Sequence, residues 1–476
     1  MSYIQDSQLA IKMGDLVISS IGAADDTVLL SNSIYDLYYL LQLTLFYCSN
    51  NNVTLCPDKT QLQVYFKGDT PDEVLAFDAL NPIHINGQPI SLSKTAEHLG
   101  VIRNTDGNYP SLASRFAAHR RSLASVLHVG MARNHRSNPV MALRLNHLYG
   151  TPVLLSGLAS LILTDAEIDL IEKRHRQTLN SILRLYPKTP RAVIYFLAGT
   201  LPGSALLHLR QLSLFGMISR LSDNILRQHA FNLFQSKTIA KSSWFDQIRR
   251  WCLMYELPHP LDFLLHPPSK QDFRTLVKKK VVCYWENHLR EEASALTSLV
   301  TFKPGFMSLT RPHPLWNSAG SSPVQVTMAT VQARMLSGRY RTGALMRHWK
   351  ASSAEKNKGF CQLSDECSNV LETLPHVLCS CPALESTRRN LASFTLKCAS
   401  KMDETLAALL LDLCDPASSY FFDFLLDCST IPAVINLVQQ HNLEVLDKFF
   451  AVTRTWVYVI HRERLKMLGR WHGQTS

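Results

Sequence analysis

Features that mark secreted proteins, membrane proteins and several common enzyme families are missing from this chain of 476 residues. The first residues contain no basic segment followed by an apolar run, so the sequence predicts no secretion signal. The apolar run from Val153 to Leu163 carries two serines and a glycine and is far shorter than the ~20 residues of a membrane span. No phosphate-binding glycine loop, Gly-x-Ser-x-Gly or His-Glu-x-x-His motif occurs. We therefore expect a cytoplasmic or nuclear protein, neither secreted nor inserted in a membrane.

Acidic residues are absent from two long stretches, Gly107 to Thr164 and Ala293 to Ala354, although the chain holds 38 Asp and Glu. Its 49 Lys and Arg give a net charge of +11, which favours a polyanionic partner such as nucleic acid or an acidic membrane face. Acid-free basic stretches suit phosphate contacts that release counterions. The alternative is that both stretches are solvated helical faces.

The 11 cysteines lack the secreted context in which disulfides form, so metal ligation or plain burial is expected of them. With 46% apolar and 18% charged residues, the composition is that of a folded protein rather than a disordered one. The length suggests about three domains.

The first hundred residues show the pattern of a mixed α/β region. Leu16 to Leu30 predicts a hairpin with Asp25 and Asp26 at its tip, and Ser31 or Ser33 can cap a helix that ends at the asparagines from residue 50. Asn86-Gly87 predicts a second hairpin, and a further strand is predicted over Glu97 to Ile102. Beyond Tyr109 the leucine spacing is helical, so the fold class expected is α+β.

Asp25 and Asp26 are adjacent carboxylates between apolar strands, which can direct both side chains toward one Mg²⁺ ion. Two-metal phosphoryl transfer requires acids in such a position. The alternative for an isolated Asp-Asp pair is ordinary turn chemistry.

Cys361, Cys367, His376 and Cys381 are spaced so that three thiolates and one imidazole can close a tetrahedral Zn²⁺ site. Such an ion would contribute folding energy to a segment with little apolar core. The gap of five residues between the first two cysteines is wider than usual, and Cys379 can replace Cys381 as the fourth ligand. Buried free cysteines are the alternative.

Several segments occur in one order that resembles a known family. Ala24–Ser31, Pro57–Val64, Asn81–Gly87 and Ala96–Arg103 are similar to the catalytic-acid hairpin, the lysine loop, the primer-grip hairpin and the thumb entry of a non-LTR (LINE-like) retrotransposon reverse transcriptase. Phe360–Leu363 and Glu372–Leu384 together resemble the C-terminal zinc knuckle of the same class. The stretches Arg144–Leu161 and Ala333–Thr342 also look like stretches recurring in such elements.

The resemblance implies RNA-directed DNA polymerisation by a right-hand palm with Mg²⁺ as cofactor, and structural Zn²⁺ in the knuckle. It implies that Asp25 and Asp26 are metal-site acids, that Lys59 lies near the incoming nucleotide and that His98 lies in the primer grip. A solvated lysine and a packed histidine are the structural alternatives. The partners implied are an RNA template and a DNA primer or target DNA, held by thumb residues and by a second surface beside the knuckle: Arg115, Arg120, Arg121, Arg334, Arg339 and Arg341.

The domain organisation follows from the resemblance and from changes in composition. We predict a partial palm with the Asp-Asp hairpin and primer grip (1–106), a basic helical thumb (107–164), a helical connection region (165–302), a linker (303–323), a basic helix with the zinc knuckle (324–398) and a C-terminal helical region with a basic tail (399–476).

Two departures from the family pattern bear on activity. Ala23 stands where the family has an aromatic residue or cysteine, and only 24 residues precede Asp25. We therefore expect the fingers and the first catalytic aspartate to be missing and the chain to be inactive as a polymerase by itself. The alternative function is a non-catalytic nucleic-acid-binding remnant of a retroelement.

Overall fold

The computed structural model is mostly helical (66%) with a few short antiparallel hairpins, which establishes the α+β class. It describes residues 9, 11–13, 16–23, 26–65, 72, 75–76, 82–90, 92–128, 138–222, 225–235, 243–299, 302–304, 307–349, 359–441 and 444–469. Two compact units form. Unit 1 comprises Met1–His119, Val153–Ile168 and Leu207–Lys280, and unit 2 comprises Arg120–Pro152, Asp169–Leu206 and Val281–Ser476.

The strands of unit 1 pair as four separate two-stranded hairpins. The polymerase palm expected for residues 1–106 stays a prediction, because these described strands do not join into one sheet. The strands are β1 Ile11–Met13, β2 Leu16–Ile18, β3 Ser20–Ala23, β4 Asp26–Leu29, β5 Ile83–Ile85, β6 Gln88–Ile90, β7 Thr95–His98 and β8 Val101–Asn104.

The helices dominate from residue 109 onward, as the leucine spacing predicted. They are α1 Ile34–Asn50, α2 Tyr109–His128, α3 Pro139–Leu145, α4 Thr151–Leu154, α5 Asp165–Ile182, α6 Arg191–Ala198, α7 Gly203–Ser219, α8 Ile225–Gln235, α9 Trp244–Met254, α10 Pro260–Leu265, α11 Lys270–Ala295, α12 Pro314–Asn317, α13 Pro323–Leu336, α14 Gly343–Trp349, α15 Glu385–Ala399, α16 Glu404–Leu413, α17 Phe421–Asp427, α18 Pro432–His441 and α19 Glu444–Met467.

Helix α1 and the hairpin β5–β6 share a small core in unit 1. Ser33 caps the helix by accepting a hydrogen bond from the Asp36 N–H (3.1 Å), which confirms the predicted start. The helix ends at Asn50, as predicted. Leu41 on the buried face of the helix packs in one apolar core with Leu62, Ile83, Ile85 and Ile90. This core fixes the hairpin against the helix by burial of apolar surface.

Turn chemistry explains which predicted hairpins are correct. Asn86 and Gly87 both have positive φ (51° and 79°), as a two-residue type I′ turn requires, and β5 pairs with β6 as predicted. The single strand predicted over Glu97 to Ile102 is wrong. Leu99 and Gly100 adopt positive φ (51° and 73°) and fold the segment into the hairpin β7–β8.

The predicted hairpin around the two acids is present but shorter than expected. β3 pairs with β4 in a register that places Ala23 opposite Asp26. The first part of the apolar run, Leu16–Ile18, instead pairs with Ile11–Met13. The long strand expected from residue 16 is therefore divided between two hairpins.

Helix α19 forms the centre of unit 2. It packs against α12, α13, α15, α17 and α18. Phe449, Phe450 and Trp456 on this helix are completely buried. Arg454 is also buried, and its guanidinium donates to the Ser318 carbonyl (3.0 Å) and to Gln325 Oε1 (3.2 Å). Part of the predicted basic tail is therefore internal to unit 2.

The proline-rich segment predicted as a linker, residues 303–323, contributes to the core of unit 2 where it is described. Leu315 and Trp316 are fully buried, and Trp316 Nε1 donates to the Leu197 carbonyl (3.1 Å) at the end of α6. Gly199 ends this helix with φ +62°, and its N–H donates to the Tyr195 carbonyl (2.9 Å). Proline and glycine content thus marks irregular backbone here, while the apolar side chains between them are packed.

One stretch of unit 2, Phe421–Gln439, is long and apolar enough to cross a membrane by length and composition alone, with a mean hydropathy of 1.5. Half of it is buried inside the protein, as in a core helix of a soluble protein. Helices α6 and α7 meet the same test only when taken together, across a bend of 63°. Among the described residues these helices are weak evidence for a membrane span.

The packing at Gly199 predicts a strong sensitivity to added volume. A Cβ atom at this position would lie 1.8 Å from the Arg311 carbonyl oxygen, whereas a Cβ at Gly320, which has nearly the same φ (+57°), would meet nothing within 4 Å. Gly320→Ala should cost about 1 kcal/mol of stability from the left-handed backbone alone. Gly199→Ala should cost about 3 kcal/mol or more, because the backbone must also move. Comparison of the two thermal unfolding midpoints checks this, and equal midpoints would contradict it.

Candidate metal centre

The first two predicted metal ligands lie on a loop closed by backbone hydrogen bonds. The Cys361 N–H donates to the Val370 carbonyl (2.8 Å). Cys367 ends the 3-10 turn Asp365–Cys367, which Ser364 caps by accepting a hydrogen bond from Glu366 N–H. Both thiols are buried. The loop therefore turns both cysteines inward although it contains little regular structure.

The other two ligands lie at the two ends of one π-helical turn, His376–Ser380. The Cys381 N–H donates to the His376 carbonyl (2.8 Å), which closes the turn between residues five apart. This wide turn brings the imidazole and the Cys381 thiol to the same side of the chain.

The four side chains converge at one point. Each offers one ligand atom, and these atoms lie within 4.8 Å of one another. Cys381 Sγ lies 3.8 Å from Cys361 Sγ and 4.0 Å from Cys367 Sγ. Thiolates around a tetrahedral zinc ion at ~2.3 Å lie about 3.8 Å apart, whereas disulfide sulfurs lie about 2.05 Å apart. The buried cluster can therefore hold a metal such as zinc, and Cys381 rather than Cys379 belongs to it.

Hydrogen bonds around the cluster favour its metal-binding form. Backbone N–H groups of Leu363 and Ala383 donate to the sulfurs of Cys361 and Cys381, which stabilises the thiolates. The Nδ1 atom of His376 lies 3.5 Å from Ser380 Oγ. Its Nε2 atom is buried and has no hydrogen-bond partner among the described residues, as a nitrogen reserved for a metal would.

Burial opposes charge on these groups when no cation is nearby. It raises the pKa of Cys361 to about 12, raises the pKa of Cys381 and lowers the pKa of His376. A divalent cation reverses this preference for the thiols, because it binds the deprotonated sulfur. Bound to this cluster, a zinc ion would supply the positive charge that buried thiolates require.

Arg388 on helix α15 supports the cluster from outside. Its side chain is buried, and one terminal nitrogen donates both to the Cys381 carbonyl (2.7 Å) and to the Glu385 carboxylate (2.8 Å). The contact fixes the backbone at the fourth ligand relative to α15.

A buried ion pair connects the ligand loop to helix α19. Arg464 donates from Nε (2.7 Å) and Nη2 (2.9 Å) to the two carboxylate oxygens of Glu372, four residues before His376. The two side chains are only 4% and 5% exposed. The Gly343 N–H donates to the same carboxylate (2.5 Å), so both charged groups are well satisfied.

Tyr340 and His461 extend this network. Arg464 Nη1 lies 3.4 Å from the Tyr340 hydroxyl, which lies 2.6 Å from His461 Nδ1. Burial raises the pKa of Tyr340 to about 12, and burial together with nearby Arg464 and Arg334 lowers the pKa of His461 to about 4. Both groups are uncharged at neutral pH, so the carboxylate of Glu372 balances Arg464.

The predicted catalytic residues belong to unit 1. Asp25 lies outside the described residues. Asp26 begins β4 and is exposed, and Lys59 is exposed at the end of the 3-10 turn Pro57–Lys59. In the described part of the chain, Asp26 joins no group of three or more metal-ligating side chains. The Mg²⁺ site expected of Asp25 and Asp26 therefore stays a prediction.

The predicted thumb and primer-grip residues differ in exposure. His98 is half-buried at the end of β7, and Arg115 on α2 is half-buried and donates to the Gly100 carbonyl. Arg120 and Arg121, also on α2, are exposed. The two exposed arginines are free to meet a polyanion, whereas Arg115 also secures the β7–β8 turn.

The predicted basic residues near the cluster are placed as follows. Arg334 and Arg339 are half-buried and Arg341 is exposed. Arg334 Nε donates to the Arg184 carbonyl (2.9 Å), and the guanidinium groups of Arg334 and Arg341 both lie over the Tyr186 ring.

Sequence reasoning missed the residues that support the cluster. Arg388 and Arg464 belong to no motif, and Glu372 begins the knuckle-like segment without being predicted to pair with an arginine. Arg464 lies 92 positions from Glu372, so no local spacing could have revealed their contact. The helical period of α19 offers the one available signal, because it places Arg464 four residues after the buried Ile460.

The chain matches no known protein family and no curated protein in sequence. The resemblance to a retroelement reverse transcriptase therefore stays a prediction, while the metal cluster stands on the geometry of its own residues.

Separate substitutions of two neighbouring cysteines test which of them is a metal ligand. Cys381→Ser should lower zinc affinity by more than about 100-fold, because a ligand is lost. Cys379→Ser, two residues away, should retain about one zinc per chain because its thiol lies outside the cluster. Zinc content after dialysis of the purified variants checks this. Equal zinc retention by both variants would contradict the assignment.

Removal of the charge on Arg464 should destabilise unit 2. Arg464→Met leaves the Glu372 carboxylate buried without its partner, at a cost of about 3–5 kcal/mol. Arg462→Met removes an arginine from the same helix that pairs with Glu463 at the surface, at a cost below about 1 kcal/mol. Urea unfolding followed by tryptophan fluorescence measures both. Similar midpoints for the two variants would show that the pair contributes little.

Proposed function

We propose that this chain is a segment of a retroelement-type reverse transcriptase that binds nucleic acid, with a zinc knuckle organising its C-terminal part. The observation that carries the proposal is the convergence of Cys361, Cys367, His376 and Cys381. These are the four positions at which the sequence resembles the knuckle of that class. Small zinc-bound segments of this kind supply a rigid loop without needing a large core.

The distribution of charge supports nucleic acid as the ligand. Arg120 and Arg121 are exposed on α2, in a stretch of sequence without a carboxylate from Gly107 to Thr164. Guanidinium groups bind phosphates of a duplex backbone without reading its bases. Such binding suits a template–primer duplex, whose sequence varies as synthesis proceeds.

Nucleotidyl transfer is the second candidate function. The hairpin β3–β4 favours it, because it presents Asp26 in an exposed position with Lys59 exposed in the same unit. Asp25 and Asp26 would be the acids of such a site, and Lys59 would contact the incoming nucleotide. The alternative is a binding protein without polymerase activity.

One experiment separates these functions. An RNA template annealed to a labelled DNA primer is titrated with protein at several salt concentrations, and incorporation of deoxynucleotides is followed in parallel with Mg²⁺ present. A double variant with Arg120→Gln and Arg121→Gln should reduce the slope of the logarithm of the binding constant against the logarithm of the salt concentration by about 2. The matched pair Lys278→Gln with Lys279→Gln, exposed on α11, should change it little.

The outcomes are distinct. Absence of binding by the unsubstituted chain would overturn the proposed function. Binding with no incorporation would retire the polymerase candidate and leave nucleic-acid binding. Incorporation that Asp26→Asn abolishes, with binding retained, would support the polymerase candidate.

A further inference from the structure

Two arginines of unit 2 share one aromatic ring. The guanidinium carbon of Arg334, near the end of α13, lies 5.1 Å from the ring centroid of Tyr186, and that of Arg341 lies 5.3 Å from the same centroid. Each contact is an attractive cation–π interaction. Together they hold two like charges near each other, which is unfavourable unless a negative group is also present.

No carboxylate in the described part of unit 2 pairs with Arg334 or Arg341. The acid that lies nearest in the network is Glu372, and both of its oxygens accept hydrogen bonds from Arg464. Arg464 also donates to the Arg341 carbonyl (3.1 Å), and its own charge is balanced by Glu372. Sequence from Ala293 to Ala354 supplies no acid either. The surroundings of Tyr186 are therefore positive without an internal counterion among these residues.

The hydrogen-bonding edges of the two guanidinium groups remain available. Arg334 uses Nε to donate to the Arg184 carbonyl, and its terminal nitrogens have no acceptor within the described ranges. The Arg341 side chain is exposed and its guanidinium likewise meets no described acceptor. Stacking on a ring occupies the faces of a guanidinium and leaves its N–H edge free for a bidentate contact.

We propose that Tyr186, Arg334 and Arg341 form a binding site for a phosphate group, with the ring holding both guanidinium groups ready to donate. Paired N–H donors match the oxygens of a phosphate. The site takes its phosphate from the backbone of a nucleic-acid strand. In this respect it rests on the proposed function and names side chains that carry it out. A free polyphosphate offers the same chemistry and is distinguished below.

The first variants change Arg341, whose side chain can be altered while its carbonyl still accepts from Arg464. Arg341→Gln should weaken binding of an RNA–DNA hybrid roughly tenfold and reduce the salt slope by about 1. Arg341→Lys should keep the slope and still lose affinity, because an ammonium group cannot make the forked contact. Arg462→Gln is the matched control, since Arg462 pairs with Glu463. Retained zinc content shows that each variant is folded.

The source of the phosphate is resolved by competition. Pyrophosphate and polyglutamate are each titrated against the labelled hybrid bound to the unsubstituted chain and to Arg341→Gln, and the direct binding of each to both chains is measured by calorimetry. If Arg341→Gln lowers the affinity for the hybrid and pyrophosphate competes only weakly, the phosphate comes from a nucleic-acid backbone. If the chain does not bind the hybrid but binds pyrophosphate in a way that depends on Arg341, the phosphate site is supported and the proposed function is overturned.

Two results would overturn the site itself. Hybrid binding that is unchanged in Arg341→Gln and in Tyr186→Leu would leave the proposed function standing without this site. Binding of polyglutamate that depends on Arg341, with no binding of pyrophosphate or hybrid, would show a surface for an acidic protein instead.

Discussion

The buried pair of Arg464 and Glu372 is the interaction on which the arrangement of the metal cluster depends. Two charges removed from water are costly unless each hydrogen bond is satisfied, and here the carboxylate accepts from Arg464 and from the Gly343 N–H. Because Glu372 lies in the ligand loop and Arg464 on α19, the pair fixes the loop to the central helix of unit 2. The cluster is thus held from both sides, by this pair and by Arg388 on α15.

The arginines of this chain fall into two groups, those that stabilise the interior and those that are exposed to a ligand. Arg454 and Arg464 are buried and bond internal oxygens, whereas Arg120, Arg121 and Arg341 are exposed. A net charge of +11 therefore overstates the charge that a ligand can reach. The acid-free stretches identify the accessible arginines better than the total charge does, although they too include internal contacts such as that of Arg334.

Sequence reasoning succeeded where chemistry is local and failed where contacts are distant. Ser33, Asn86 and Gly87 act on neighbouring backbone, and the spacing of the four metal ligands limits which chemistry they can perform, so their roles could be predicted. The turn at Leu99 was missed because leucine rarely adopts positive φ and its apolar side chain indicates a strand. The choice between Cys379 and Cys381 depended on the π-helical turn, which the sequence does not reveal. The partner of Glu372 could not be predicted, because Arg464 is far from it in sequence.

The central position of α19 has a consequence for the order in which the protein is made. Its partner helix α13 begins at Pro323, yet Glu444–Met467 emerges from the ribosome more than a hundred residues later. At ordinary rates of translation that delay is on the order of ten seconds, during which the apolar face of α13 has no central helix to cover it. The packing of α13 against α19 therefore waits for the synthesis of α19, and until then the apolar face of α13 is open to contacts with other chains.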